Sequence, residues 1–172
     1  MSATTSRAVR VGAVVLAQLA LVGVAVWAPL SARLTGETVV LRVEPVDPVD
    51  PFRGAYVQLA YPDLPNQTGQ GAGTLTEEQQ KALDDARGTA YVPLTRSGEV
   101  WVGGPVQRTP PADGLFLTCD DSSWTLDCGI DSWFLPQGEA AGLQAAIRGG
   151  TAVATVKVDA AGHAALVDVS TR

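Results

Sequence analysis

The sequence has few of the side chains from which metal and nucleophile sites are built. Among 172 residues there are two cysteines and one histidine. A structural zinc site needs four ligands, which Cys119, Cys128 and the distant His163 do not supply. The hydrolase motifs GxSxG and HExxH and a nucleotide-binding glycine loop are also missing from the sequence. We therefore predict no metal, no cofactor and no enzymatic activity, and we expect His163 to be an exposed turn residue.

Acidic side chains are missing from the first 34 residues, whose only charged side chains are three arginines. The other 138 residues hold 9 basic and 18 acidic side chains, which gives them a formal charge of −9. Binding to phosphates requires a basic surface. The charge balance therefore argues against nucleic acid as a partner of the main domain.

The longest uncharged run covers residues 11–32, VGAVVLAQLALVGVAVWAPLSA, in which only Gln18 and Ser31 are strongly polar. About 20 apolar residues span a bilayer as a helix, so this run predicts a transmembrane signal-anchor. A cleaved signal peptide is the alternative, but its apolar core is normally only about 7–15 residues long. The best small-residue cleavage site is followed by Pro29, which disfavours cleavage. Trp27 suits the membrane interface at the end of the span.

The arginines around this run predict its orientation. Arg7, Arg10 and the amino group precede it, and Arg33 follows it closely. Positive charge is retained in the cytoplasm, so the main domain is expected on the outside of the cytoplasmic membrane. The predicted organisation is a cytoplasmic N-terminus at residues 1–10, a single membrane-spanning helix at residues 11–32 and an extracytoplasmic domain at residues 35–172.

The two cysteines lie close together in the segment CDDSSWTLDC. In an oxidising compartment, Cys119 and Cys128 are expected to form a disulfide. The chain-entropy description gives such a ten-residue ring roughly 2.5–3 kcal/mol of stabilisation. Two free thiols are the alternative.

Short stretches of alternating or β-branched residues recur after the span and predict strands. They are TVVLRV, AYVQLAY, TAYVPLT, EVWVGG, LFLTC, SWTLDC, IDSWFL, TAVATVKV and AALVDV. Two helices are predicted among them. Thr76 and Gln79 form a capping box in TEEQQKALDDARG, and Leu143 and Ile147 share an apolar face in QGEAAGLQAAIR. We therefore predict a mainly β (α+β) fold, in which a small antiparallel β barrel or sandwich-like domain with two short helices follows the transmembrane helix.

The segment DPVDPFRG precedes the second predicted strand. Prolines hold Asp47 and Asp50 extended, and Gly54 permits a sharp bend into the strand. Two carboxylates beside Arg53 suit an acid–base pair or part of a cation site. They equally suit a turn in which carboxylates accept hydrogen bonds from backbone amides, and we favour this structural interpretation.

The strand AYVQLAY alternates between two faces. Val57, Leu59 and Tyr61 fall on one face, and Tyr56 and Gln58 fall on the other. We expect the first face to point into the core, with the second face semi-polar.

This part of the chain closely resembles the signature of the bacterial GDYXXLXY family. Gly54, Tyr56, Leu59 and Tyr61 match the named positions, whereas Ala55 stands where the family name has aspartate. The lead-in PVDPVDPF and the C-terminal segment from DSWFLPQGE to the last predicted strand are also similar to the family. The resemblance implies a small membrane-anchored protein, often encoded beside a multi-span membrane protein. It implies no catalytic residue.

These observations favour a non-catalytic binding or assembly module, which acts with a polytopic membrane protein and is held in the membrane lipid by its N-terminal helix. One alternative is an envelope hydrolase that uses Asp47 or Asp50 with Tyr56 or Tyr61. Another is a cation-binding module, because oxygen-rich clusters suit calcium. Its candidate ligands surround the cysteine loop and are Asp113, Asp120, Asp121, Asp127 and Asp131.

Overall fold

The computed structural model describes residues 2–45, 56–66, 76, 78, 81, 85, 87–123, 125–134, 142–143, 145, 147 and 149–171. In this part of the chain, one long helix is followed by nine strands. The fold is mainly β, as the sequence predicts.

Helix α1 runs from Ser2–Thr35 and contains the whole uncharged run. Its alanines and leucines are strong helix formers. The segment Arg10–Thr35 is long and apolar enough to cross a bilayer. Its large apolar side chains are exposed instead of being packed against the rest of the protein. The expected N-terminal apolar helix is therefore confirmed, and it extends beyond both ends of the predicted span.

The nine strands form three sheets of three strands each, in the orders β1-β8-β9, β2-β3-β7 and β5-β4-β6. We call them the terminal, motif and middle sheets. All of their strand pairs are antiparallel. The strands are β1 Glu37–Arg42, β2 Glu44–Pro45, β3 Tyr56–Ala60, β4 Thr89–Ser97, β5 Val100–Gly103, β6 Phe116–Asp120, β7 Ser132–Phe134, β8 Ala152–Val158 and β9 Ala164–Thr171.

The terminal sheet joins the start of the domain to its end. Its central strand β8 is β-branched and largely buried, and it pairs with β1 on one side and β9 on the other. The register with β9 shifts between Thr155 and Val156, so that Val167 has no direct partner and is exposed. Such a bulge bends the strand at the outer edge of a sheet.

All three sheets contribute to one core. Its fully buried side chains include Leu41, Val92, Leu117 and Val156, which come from the terminal and middle sheets. The motif sheet adds Leu59, which is 3% exposed. These strands alternate buried and exposed positions, which is the pattern from which they were predicted.

Both predicted helices lie largely outside the described residues. Glu78, Lys81 and Asp85 of the first are helical, as are Gly142, Leu143, Ala145 and Ile147 of the second. Ile147 is buried in the core, and Leu143 packs against it. The shared face of these two residues is therefore confirmed.

The sheets distinguish between the two architectures that the sequence left open, and one predicted strand needs correction. The described strands form three separate sheets, and among them no closed barrel is found, so the sandwich-like alternative is the consistent one. The stretch SWTLDC was predicted as a strand, but in its described residues only Asp127 forms a bridge, to Asp120. The short ring closed by the two cysteines leaves this segment too little length to run along a neighbouring strand.

Candidate functional site

The strand that carries the family-like motif is β3, between β2 and β7 in the motif sheet. Leu59 is buried, and Tyr61, just beyond the strand, packs against the core. The prediction that these two side chains share the inward face is confirmed. The side chains of Tyr56 and Val57 lie outside the described set, although both residues belong to the strand.

Tyr61 uses its hydroxyl group for structure. The phenol donates a hydrogen bond of 2.6 Å to the backbone carbonyl of Ile130, which is itself buried. Burial raises the pKa of Tyr61 well above its usual value, and the negative charge of Asp131 raises it further. The group therefore stays protonated at physiological pH and acts as a fixed donor.

The motif strand is tied to the segment that follows the second cysteine. The backbone amide of Leu59 donates to the carbonyl of Asp131 at 2.7 Å. In the antiparallel ladder that follows, Tyr56 lies opposite Phe134 and Gln58 lies opposite Ser132. Directly opposed residues share one face of a sheet. That outward face presents Gln58 and an aromatic residue, Phe134, which is 76% exposed.

The loop after the motif strand is fixed by an ion pair. Arg42 of β1 binds the carboxylate of Asp63 through two nitrogens, and its Nε lies 2.5 Å from Oδ2. The backbone carbonyl of Asp63 accepts a hydrogen bond of 2.8 Å from Gly103. The residues just beyond the motif therefore connect the motif sheet to the other two sheets.

The cysteine loop is closed by a disulfide between Cys119 and Cys128, whose sulfur atoms are 2.04 Å apart. The predicted pairing is thus present. Cys119 belongs to β6 of the middle sheet, and Cys128 precedes the segment that binds the motif strand. Leu126, inside the ring, donates to the carbonyl of Asn66 at 3.0 Å. The loop therefore links the middle sheet to the motif region.

Three of the candidate aspartates around this loop, Asp120, Asp121 and Asp127, accept hydrogen bonds from nearby groups. Asp121 is 4% exposed and binds Arg108 through both carboxylate oxygens, at 2.9 and 2.6 Å. Its carboxylate also accepts a hydrogen bond of 2.7 Å from the backbone amide of Gly88. Asp120 and Asp127 accept hydrogen bonds from backbone amides two residues further along the chain. In the described part of the chain, no group of three or more acidic, histidine or cysteine side chains is placed to hold a metal ion. The geometry gives the cation-binding alternative no support.

A second cluster lies where α1 meets the terminal sheet, and its centre is Asp159. This carboxylate is 5% exposed. It accepts backbone hydrogen bonds of 2.9 Å from Ala161 and from His163, and its Oδ2 lies 3.1 Å from Nδ1 of His163. It also forms a hydrogen bond with the side chain of Ser31 in α1. Burial alone would raise the pKa of Asp159, but the bonds from Ser31, His163 and Ala161 outweigh it and hold the pKa below its usual value.

This cluster was missed by the sequence reasoning. His163 lies in a turn as expected, but it is half-buried and paired instead of freely exposed. The available signals were Ser31, a polar residue late in an apolar run, and Asp159, which precedes a glycine by three residues after a strand. Gly162 has a φ of +80°, which favours glycine and closes the turn.

A comparison with known protein families relates the motif strand to other proteins. The profile of the GDYXXLXY family, described as GDYXXLXY protein, matches residues 18–169. The chain belongs to the GDYXXLXY family. No curated protein and no solved structure matches it.

Family membership gives the motif residues their context. In this GDYXXLXY protein the motif leucine and last tyrosine, Leu59 and Tyr61, lie in or against the core. Ala55 replaces the acidic residue of the family name and lies outside the described residues, as do the other predicted residues of the lead-in: Asp47, Asp50, Arg53 and Gly54. The predicted turn at Asp47 and Asp50 therefore stays a prediction, as do the acid–base and cation-site alternatives there.

Proposed function

We propose that this chain is a single-pass protein of the cytoplasmic membrane that displays a non-catalytic binding or assembly domain outside the cytoplasm and acts with a polytopic membrane protein. The observation that carries the proposal is the unbroken course of α1. Its apolar segment Arg10–Thr35 ends one residue before β1, and its last turn is docked on the domain. An anchor that stays attached benefits from such docking, whereas a cleaved leader does not.

The orientation is supported by two independent features. Arg7 and Arg10 precede the apolar run and favour a cytoplasmic location of residues 1–10. The disulfide suits an oxidising compartment for residues 35–172. Both features predict the same arrangement, with the domain on the outer side.

The non-catalytic role is supported by the use of the motif side chains. Leu59 is in the core, and the phenol of Tyr61 donates to a backbone carbonyl with a raised pKa. A hydrolase that used Tyr61 would need this group to exchange protons with a substrate. Its fixed donation to Ile130 argues against that part of the enzymatic alternative.

The contact with a polytopic partner is proposed for the outward face of the motif sheet. Phe134 is exposed there beside Gln58, and aromatic side chains are enriched at protein interfaces. The anchor restricts the encounter to proteins of the same membrane, which makes another membrane protein the natural partner.

Photocrosslinking in living cells tests the proposal. The photoreactive residue p-benzoylphenylalanine replaces Phe134 in the full-length chain, and the matched control places it at Ser97, which is exposed on the middle sheet. We expect a crosslink to one multi-span membrane protein from position 134 and none from position 97. Equal crosslinking from both positions, or products that contain no membrane protein, would overturn the proposed role.

A further inference from the structure

The junction between α1 and the terminal sheet leaves no room for a flexible connection. Only Gly36 separates α1 from β1. Its backbone amide donates a hydrogen bond of 2.9 Å to the carbonyl of Ala32. A side chain at position 36 would begin 2.8 Å from the backbone nitrogen of Val158. Ala32 is fully buried by this contact. The end of the helix is thus packed directly against the end of the sheet.

The length of α1 places that junction relative to a membrane. The 26 residues of Arg10–Thr35 form a helix of about 39 Å, against a hydrocarbon thickness of about 30 Å. For a helix along the membrane normal, the excess of about 9 Å lies among the lipid headgroups, which form a layer of about 5–7 Å on each side. Trp27 is exposed and suits the interface one turn before Ser31. The last turn of α1 therefore lies at headgroup depth.

The turn between β8 and β9 lies at the same depth, because its first residue is bound to that last turn of the helix. Asp159 forms a hydrogen bond with the side chain of Ser31. The other hydrogen-bond partners of the carboxylate come from the turn itself and are Ala161 and His163. The turn therefore directs its acidic group inward.

The outer surface of the same turn is small and uncharged. Ala160 and Ala161 are its exposed residues, while Gly162 is buried against β6. The carbonyl of Ala161 accepts a hydrogen bond of 2.8 Å from the hydroxyl of Thr118. This bond holds the turn against the middle sheet. A rigid turn without an outward charge can approach either neutral or anionic headgroups without repulsion.

We propose that the turn at residues 159–163 lies in the phospholipid headgroup layer of the membrane that α1 spans, as a fixed contact between the β domain and the lipid surface. This inference rests on the proposed membrane anchoring. The depth of the turn is set by its docking on α1, where Asp159 of the turn forms a hydrogen bond with Ser31 of the helix.

A depth measurement on the full-length chain tests the contact. An environment-sensitive fluorophore is attached to Ala161→Cys, and the protein is reconstituted in phosphatidylcholine vesicles that contain headgroup-spin-labelled phosphatidylcholine. The native cysteines stay in their disulfide, so only the introduced thiol reacts. The matched control is Ser170→Cys, which is exposed near the other end of β9, about 20 Å along the strand. We expect the spin label to quench the fluorophore at position 161 several times more strongly than at position 170.

A second variant tests whether docking sets the depth. A flexible glycine-serine segment inserted between Thr35 and Gly36 should release the turn from the helix and reduce quenching at position 161 to the level of position 170. Equal quenching at the two positions without the insertion, or unchanged quenching at position 161 with it, would overturn the inference.

Alkaline carbonate extraction of the same vesicles separates this inference from the proposed function. A protein that remains in the membrane without quenching at position 161 is anchored but holds its turn away from the lipid. A protein released by carbonate is not anchored, and both proposals then fail.

Discussion

At the scale of single residues, Tyr61 has two structural roles in one side chain. Its ring packs against the core, and its hydroxyl satisfies the carbonyl of Ile130, which would otherwise be buried without water. A buried carbonyl that loses its donor costs about 1–3 kcal/mol. The last tyrosine of the family motif therefore stabilises the contact between the motif strand and the segment after the cysteine loop.

Substitutions at Tyr61 should separate these roles. We expect Tyr61→Phe to lower the free energy of unfolding by about 1 kcal/mol, through the lost hydrogen bond. Tyr61→Ala should lower it by about 3 kcal/mol, because the ring is lost as well. Denaturant unfolding of the full-length protein in detergent micelles measures both values. Gln58→Ala, an exposed change on the same strand, is the control and should stay within about 0.5 kcal/mol of wild type. A Tyr61→Ala variant as stable as this control would contradict the structural role.

Asp159 should make stability depend on pH in the acidic range. Its folded-state pKa is lowered, so the stability it contributes is present above the pKa of the unfolded chain, about 3.9, and is lost as pH falls through the lower folded value. Asp159→Asn should therefore be less stable than wild type by about 1–3 kcal/mol at neutral pH. The difference should shrink as the pH falls below about 4.

Unfolding curves at a series of pH values measure this difference. Asp168→Asn replaces an exposed carboxylate on β9 and is the matched control. A deficit in Asp159→Asn that stays constant from neutral to acidic pH would mean that charge at position 159 is not what stabilises the turn.

The pair Leu59 and Tyr61 and the pair Asp159 and Ser31 differ in how far the sequence predicts them. Leu59 and Tyr61 follow from the two-residue period of a strand, because burial on one face is a local property of the pattern. Asp159 and Ser31 lie at opposite ends of the sequence, and their contact depends on where α1 meets the sheet. A single sequence does not encode that meeting point in any local pattern.

At the scale of elements, the cysteine loop is a short covalent ring that lies where the sequence predicts the strand SWTLDC. It begins in β6, returns with one bridge between Asp120 and Asp127, and then continues into the segment that holds β3. The covalent bond fixes the distance between the middle sheet and the motif sheet.

Removal of the disulfide should weaken this connection. We expect the double variant Cys119→Ser and Cys128→Ser to lose roughly 2.5–3 kcal/mol of unfolding free energy, because the ring no longer restricts the unfolded chain. Thermal unfolding monitored by near-ultraviolet circular dichroism measures the loss. Reductant should lower the melting temperature of wild type towards that of the double variant and leave the variant itself unchanged. An unchanged melting temperature of the wild-type protein in reductant would contradict the prediction.

Most strands could be predicted from their pattern, whereas their grouping could not. Alternation or a run of β-branched residues located β1, β4, β8 and β9 to within a few residues. The choice of three sheets instead of one closed sheet depends on which edges pair, and those pairs connect distant segments such as β1 and β8. The stretch SWTLDC shows the same limit, since its alternation was overridden by the covalent ring.

At the scale of the whole molecule, α1 and the β domain meet without a linker. A glycine between a helix and a strand suggests a flexible hinge. Gly36 instead lies close to the backbone of Val158 and is a packed residue. Adding a side chain to a packed site costs about 1–3 kcal/mol.

Gly36→Val should therefore loosen the whole molecule at this point. We expect a loss of about 2 kcal/mol in unfolding free energy, because the added side chain overlaps the backbone of β8. Limited proteolysis should also cleave the variant between α1 and β1 faster than wild type. Leu34→Val, which changes an exposed residue of the same helix end, is the control and should behave like wild type. Equal cleavage rates in both variants would mean that position 36 already moves freely.

The direct connection at Gly36 also fixes the geometry of encounters between this protein and its neighbours. A domain on a long tether samples many heights and directions, whereas a domain clamped to its own anchor does not. With α1 as the proposed single-pass anchor, every copy would show the same face at the same height above the bilayer, and it would change direction only when the whole molecule turns about the membrane normal. The search for the proposed membrane partner would then be confined to the plane of the bilayer, in which two proteins need only diffuse together and rotate into register.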